Sequence, residues 1–508
     1  MKIIVCAVLL VIFTICCAAV SFASETDAQK NGMALIDLFK SKKKKTPVAT
    51  VKKMLKKATD FNCRDSADYP VLDCAISYTD NPEIVNALIE AGADVNTRAC
   101  HYNGTVLHRA ALHRARPEIL DRLIKAGADV NATDEHDWTP LFYSTRTPKN
   151  LKLLINAGAD VNVRDTTDRT PLMDGVFGLY STEFIEILVR AGADVNARCS
   201  IYGSTAFLIA AECNENVKML SELSRMGADV HARDHSGMTA LMGAIKFNNS
   251  IKVIHHLADM DIDLNAADKT GKTALMYAAA CGDNRIVNFL LKRGADAKAV
   301  DTYGKNALLH MSEYWRPYGL SVWTLESFIN AGLNINTTDN TGRSLLYYLT
   351  AKGEFEAVAT LLRKGADAGM RFENGKTLLM CILEQEFEFS QACLSRSLIA
   401  GVDVNARDND GKTALMYAAA ACKGNTDREF RRKSFTRAVN KLLKAGANRA
   451  IKDNAGKTAF DYAVEQPDLA DTNACKRLGG SGDILLNYQL RPKHGFDEAE
   501  QFLFAAGL

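Results

Sequence analysis

Gly92-Ala93-Asp94-Val95-Asn96 decides the fold, because the chain repeats it from Gly127, Gly158 and Gly192. Frayed copies stand at Gly227, Asp261, Gly294, Gly332, Gly365, Gly401 and Gly446. Steps between neighbouring copies are 35, 31, 34, 35, 34, 33, 38, 33, 36 and 45 residues. A period of about 33 residues marks a stacked array, in which no unit buries its apolar face alone. The question for such a chain is which surface it presents.

A second marker precedes each glycine: Thr139-Pro140-Leu141, Thr170-Pro171-Leu172, Thr239-Ala240-Leu241, Thr273-Ala274-Leu275 and Thr413-Ala414-Leu415. Threonine at a helix N-cap receives an orphan backbone N–H, and proline suits the first helical position. An apolar run follows, as from Ala274 to Ala280, and breaks at Gly282-Asp283. A second amphipathic stretch, Ile286 to Leu291, ends at Gly294, where glycine supplies the left-handed residue that closes a helix. Each unit therefore reads as two antiparallel helices joined to the next pair by a finger-like turn.

With these openings and closings the chain resembles the ankyrin-repeat family from about Met33 to its C-terminus. The resemblance implies an all-α solenoid of about 13 helix-turn-helix repeats with β-hairpin-like fingers. It sets a degenerate capping repeat at 32–66 and repeats over 67–455, with starts near 67, 103, 137, 168, 203, 237, 271, 304, 342, 375 and 411. A divergent last unit with an insertion takes 456–508. The family's histidine after the leucine is kept only as His108; Phe142, Met173, Leu208, Met242, Met276 and Met416 hold its place elsewhere, which predicts a weakened local hydrogen bond.

At the N-terminus, Lys2 precedes an apolar run from Ile3 to Val20 and then Ser21-Phe22-Ala23, a small-x-small pattern. Residues 1–23 read as a secretory signal peptide, with an uncleaved anchor as the alternative, so the repeats are expected outside the cytosol, periplasmic or extracellular. Apolar residues at 47%, charged residues at 24% and a net charge of +2 fit a folded, soluble array and give no bulk argument for nucleic acid. An exported chain admits disulfides, and Cys63–Cys100 in the first two fingers and Cys381–Cys393 within one repeat are the candidate pairs. Buried small apolar residues are the plainer reading of most cysteines.

Finger spacing is regular, whereas length changes fall among the helices: an extra loop Ser312 to Tyr318, a basic insertion Asp427 to Arg437, and Gly479-Gly480-Ser481-Gly482 ahead of a closing helix near Asp497 to Ala506. A regular finger row predicts one continuous edge for binding. The resemblance implies partner contact through the finger tips and the residue before the threonine. In the C-terminal half that residue is Lys272, Lys305, Arg343, Lys376, Lys412 and Lys457, a basic ladder suited to an acidic protein. An aspartate ladder four residues earlier (Asp268, Asp301, Asp339, Asp408, Asp453) would neutralise much of it. Tyr102, Trp138, Ile201, Tyr202 and Tyr303 are candidate anchors at the tips, with packing on the neighbouring finger as the alternative. Lys42 to Lys45, with Lys52, Lys53, Lys56 and Lys57, reads as the wet face of the cap or as a site for an anionic membrane.

Catalytic motifs are not assembled. Gly-Lys-Thr at Gly271, Gly375, Gly411 and Gly456 lacks the earlier glycine of a phosphate loop, with Ala266, Met370, Ala406 and Ile451 in its place. Cys100, His108 and His113 lack the paired cysteines of a zinc site, and His255-His256 reads as surface or interlayer packing. Gly479 to Asp483 misses the nucleophile elbow and follows no strand. The expectation is a monomeric, non-catalytic, exported protein-binding scaffold without cofactor or metal. An envelope structural element on an uncleaved anchor is the alternative, and a hydrolase built around Ser481 the weakest.

Overall fold

The computed structural model describes residues 27–479 apart from 42–45, 58–59, 80, 99–101, 113–116, 178–180, 314–321, 385–389, 421–427, 467–468 and 471; of 390–393, 428, 430 and 431 only the backbone is described. The signal segment, Lys42 to Lys45, Cys100, His113, Cys422 and everything after Gly479 lie outside this range.

An alanine-rich first helix and an amphipathic second helix alternate along the chain. In the repeat opened by Thr273, Ala274–Cys281 buries Leu275, Ala278 and Ala279, and Asn284–Lys292 buries Ile286, Val287 and Leu290. Each large aliphatic side chain so buried contributes about 1.5–3 kcal/mol. Among the described residues there are thirteen such pairs in two compact units, 1–263 and 264–508. The first unit holds seven, from Asp27–Lys40 with Val48–Leu55 to Ala240–Gly243 with Ile251–Ala258. The second holds six, the last being Ala459–Val464 with Asn473–Gly479. That pair is complete ahead of Gly480, because Ala474, Cys475 and Leu478 already give its second helix a buried face. The described part of the basic insertion is helical: Arg428–Lys444 is a second helix of 17 residues.

The helix ends follow from the wording. Gly294 takes φ 91°, and Ala295 N–H reaches back to Leu290 O at 3.0 Å, closing the helix with a left-handed residue. Thr205 receives Leu208 N–H at 3.4 Å through its hydroxyl, and the Thr105 N–H is received by His108 Nδ1 at 3.0 Å. In three repeats where methionine holds that place the bond persists in the weakened form expected. Thr273, Thr377 and Thr413 donate their N–H to the sulfur of Met276, Met380 and Met416 at 3.4, 3.3 and 3.4 Å. A thioether at the same helical position is a weak but sufficient acceptor.

The fingers are tighter than hairpins. Single antiparallel bridges close them at Arg98 and Thr105, Arg233 and Thr239, Ala267 and Thr273, and three further places, and no longer strand pairs occur among the described residues.

Candidate protein-binding edges

Most fingers are built on one aspartate, whose place Cys199 and Phe372 take in two others. Asp268 Oδ1 receives the N–H groups of Thr270 and Lys272 at 2.8 and 2.9 Å, while its Oδ2 receives the Tyr277 hydroxyl at 2.7 Å. The same bond from a first-helix tyrosine joins Tyr143 to Asp134, Tyr417 to Asp408 and Tyr462 to Asp453 at 2.6, 2.8 and 2.6 Å, and Tyr348 to Asp339. In one repeat the fully buried His310 takes the tyrosine's place, with Nε2 3.0 Å from Asp301 Oδ2. Burial pushes the Asp339 carboxyl up, but the Tyr348 hydroxyl, Thr341 and the turn N–H groups outweigh it and hold the group at about 2. Burial and that carboxylate push Tyr348 up to about 12. The aspartate ladder therefore points inward and binds its own turn; it does not neutralise the lysines, as the sequence suggested.

Neighbouring fingers are tied in register. The Asn96 amide receives Asp129 N–H at 2.8 Å and donates to Gly127 O at 3.2 Å, and Asn131, Asn162, Asn196 and Asn405 act in the same way. Arg98 holds Asn103 O and Thr133 O at 2.6 and 2.9 Å, a role shared by Arg164, Arg198, Arg371 and Arg407. At the tips, Glu135 N–H bonds Tyr102 O, His235 N–H bonds Tyr202 O and Asn340 N–H bonds Tyr303 O, at 2.9, 2.7 and 3.0 Å. The glycine of Gly-Lys-Thr also belongs to this design: Gly271 takes φ 83°, and an added Cβ would meet Asp301 Cα of the next finger at 2.9 Å.

The expected anchors divide into two kinds. Tyr202 and Tyr303 are 69% and 66% exposed, and Ile201 and Tyr102 are also open, although Tyr102 lies 5.0 Å from the His136 ring. Trp138 is half-buried: it stacks on Phe142 at 5.3 Å and donates Nε1–H to Asp165 at 3.2 Å. Packing explains Trp138, whereas the other four face solvent.

The basic row of the second unit meets carboxylates from neighbouring elements. Lys272 pairs with Glu313 at 3.0 Å, Arg343 with Glu373 at 3.1 Å, Lys376 with Glu384 at 2.6 Å, Lys412 with Asp410 at 3.6 Å and Lys457 with Glu465 at 2.7 Å. The Lys305 ammonium lies 4.3 Å from the Tyr348 ring. Pairs this exposed contribute about 0–1 kcal/mol each, so the row remains available to a partner that offers better geometry. Glu313 is held at about 2: burial pushes it up, and His310 together with Lys272 pulls it down further.

Sequence reasoning missed the ends of the first helices. Tyr78, Leu112 and Phe177 close Val71–Thr79, Val106–Leu112 and Pro171–Phe177 and are about half exposed, as is Phe247 on the π-helical turn Ala244–Asn248. The signal was the seventh or eighth residue after the residue that opens each repeat, Pro70, Thr105, Thr170 or Thr239, a place the repeat wording leaves unspecified. The candidate disulfides gain no geometry, since Cys100 and the Cys393 side chain lie outside the description; Cys74, Cys199 and Cys475 are buried. His108 serves as a cap, and His256 Nε2 lies 2.9 Å from Ser221 Oγ on the preceding second helix.

The family models agree with this repeat architecture. The family described as "Ankyrin repeats (3 copies)" matches over 38–134, 107–199, 175–268, 207–301 and 248–337, and "Ankyrin repeat" over 410–454. The chain belongs to the ankyrin-repeat family. Human "Ankyrin repeat and SOCS box protein 6" is 36% identical over 164 residues, 32% of this chain and 36% of that protein. Mouse "B-cell lymphoma 3 protein homolog" is 34% identical over 104 residues, 20% of this chain and 22% of the relative. The solved ankyrin repeat domain of Bcl-3 aligns at 25% identity and a TM-score of 0.36, covering 40% of this chain and 92% of that domain. This ankyrin chain spans about a third of the length of the relatives it first matches. Ankyrin repeats of this kind form protein-binding scaffolds, and that much holds for this chain.

Proposed function

We propose that the chain is a non-catalytic scaffold, exported from the cytosol, that holds a protein partner along its finger tips and the adjoining first helices. One observation carries the reading: large side chains stand in solvent on turns that are bonded to one another repeat by repeat. The Tyr202 tip, held by Asn196, Arg198 and the His235 N–H, and the Tyr303 tip, held by Asp301 and the Asn340 N–H, have lost freedom before a partner arrives, which lowers the entropy to be overcome on binding. Tyr202 and Tyr303 then offer rigid aromatic area, the kind that dominates interface energies. The paired lysines would supply register by exchanging their own carboxylates for an acidic partner's. Export rests on Lys2, the run Ile3 to Val20 and Ser21-Phe22-Ala23.

Two measurements test it. The purified chain and a Tyr202→Ala/Tyr303→Ala variant serve as parallel crosslinking baits in an extract of the compartment that contains the protein. Trp138 is left intact because it is packed. One discrete protein lost from the variant supports the reading, and equal capture by both baits rejects the tips as the contact edge. N-terminal sequencing of the native protein decides on export: a chain starting near Ser24 supports it, whereas a start at Met1 points to the anchored structural element instead.

A further inference from the structure

The first unit carries a second feature that the fingers do not explain. Along the ends of its first helices Tyr78, Leu112, Phe177 and Phe247 stand 49%, 51%, 58% and 58% exposed. Four such side chains at the C-terminal ends of four first helices are more than scattered surface apolarity, which ordinarily appears singly. Phe247 is there by construction. The first helix of its repeat opens at Ala240–Gly243 and widens into the π turn Ala244–Asn248, which ends on the left-handed Asn249 at φ 53°. Asn248 locks that turn by donating to Ala211 O and Asn214 O at 3.0 and 2.8 Å. Single π turns inside helices occur often at functional places, because the extra residue re-aims a side chain.

Glu212 sits at this same register, on Ala206–Cys213 between the repeats of Phe177 and Phe247. Its carboxylate makes no ion pair or hydrogen bond among the described residues. The cations around it are otherwise engaged: Arg169 lies 3.6 Å from Asp174 and 5.4 Å from the Phe177 ring, and Lys246 lies 4.8 Å from the Phe247 ring. Asp234, facing Glu212 from the next finger, spends its oxygens on the Met238 N–H and the Ser236 hydroxyl. A carboxylate left unpaired on the first helix between those that carry Phe177 and Phe247 is a socket for a cation on an otherwise apolar ligand.

We infer that this row is a docking groove for an apolar peptide segment of a partner protein, whose single lysine or arginine seats against Glu212. The inference rests on the protein-binding reading and gives that reading a partner chemistry and a regulation. Burial pushes Glu212 up to about 7, Asp234 pushes the same way, and Lys246 opposes both. Asp174 is also pushed up by burial, against Arg169 and Arg146, and the exposed Cys213 thiol is pushed up by burial and by Glu212. Glu212 is thus the group that changes charge near neutrality, and seating a cation requires its ionised form. Binding should be about tenfold tighter at pH 8 than at pH 6.

The test selects phage-displayed peptides of about 16 residues on the immobilised full chain at pH 8. Synthetic copies are then titrated against the wild type and against Phe177→Ser, Phe247→Ser, Glu212→Gln and Tyr202→Ala. Because the two phenylalanines are more than half exposed, their replacement leaves the fold intact, and a thermal melt checks this. The expected result is a recovered motif with a basic residue among apolar ones. Its affinity falls at least tenfold with either phenylalanine variant and loses its pH dependence with Glu212→Gln. Peptides that lack a basic residue, or whose binding ignores Phe177 and Phe247 but falls with Tyr202→Ala, overturn the groove and leave the finger-tip reading standing. Recovery of no binding peptide at all counts against both.

Discussion

Asn150 is a local cost that the fold carries without return. It lies in Pro148–Asn156 at the place where other second helices put Ile84, Ile119, Phe184 and Ile286, and it is fully buried with neither amide atom hydrogen-bonded. An amide taken out of water without a partner costs about 1–3 kcal/mol in proteins. Asn150→Leu restores the apolar wording at similar volume, so the urea midpoint should rise by the equivalent of about 1–3 kcal/mol with an unchanged slope. A midpoint that stays put or falls would mean that the amide is satisfied in solution. The tyrosine and histidine partners of the finger aspartates show the opposite economy. Every buried oxygen there has a donor, and the turn is rigid as a result.

At the scale of one repeat, some of the wording was readable and some was not. Gly294 as a helix closer and Thr205 as a cap follow from backbone chemistry, so sequence finds them unaided. The asparagine of Gly-Ala-Asp-Val-Asn was only a marker until its amide was seen to bridge two repeats. A contact over about 30 residues leaves no local trace. The aspartate ladder was misread for the same reason: spacing of four set it beside the lysines, but the turn directs the carboxylate to its own N–H groups and to a tyrosine nine residues on. Methionine in the histidine's place was read as weakening the local bond, and the sulfur of Met276, Met380 and Met416 is the weak acceptor that does so. Asn162 tests the bridging argument, since its amide receives Asp194 N–H at 2.8 Å and donates to Gly192 O at 2.9 Å. Asn162→Ala should cost about 1–2 kcal/mol and raise amide exchange mainly in the two fingers it joins. Exchange that rises uniformly along the chain instead would assign the asparagine to global stability rather than to finger register.

Over the whole molecule, the bond that recurs in repeat after repeat sets how stability answers to pH. Asp165, Asp268, Asp339 and Asp453 all have carboxyls below the ordinary aspartate range, because donors from the turn, and a tyrosine hydroxyl or the Trp138 N–H, overcome the upward push of burial. A group depressed in the folded state stabilises it fully above its unfolded value of about 4, and that stability is lost as pH falls through the folded value, about 2 for Asp339. The tyrosines at the other end of these bonds are pushed up by burial and by the carboxylate, Tyr348 to about 12. Their contribution is intact below about 10 and is lost as pH rises through the folded value. The contribution of this repeated bond is therefore a plateau from about pH 4 to about pH 10 with a fall on each side, and Glu212, raised to about 7, adds a decline of its own as pH rises to about 7. Tyr348→Phe and Tyr462→Phe remove the hydroxyls, so each should lower the plateau and shallow the alkaline limb by about one bound proton. The acid limb should shallow as well, since Asp339 and Asp453 lose a donor that holds them down. Urea melts taken between pH 2 and pH 12 on the wild type and both variants measure this. An alkaline limb as steep in the variants as in the wild type would show that groups other than these tyrosines govern the high-pH loss.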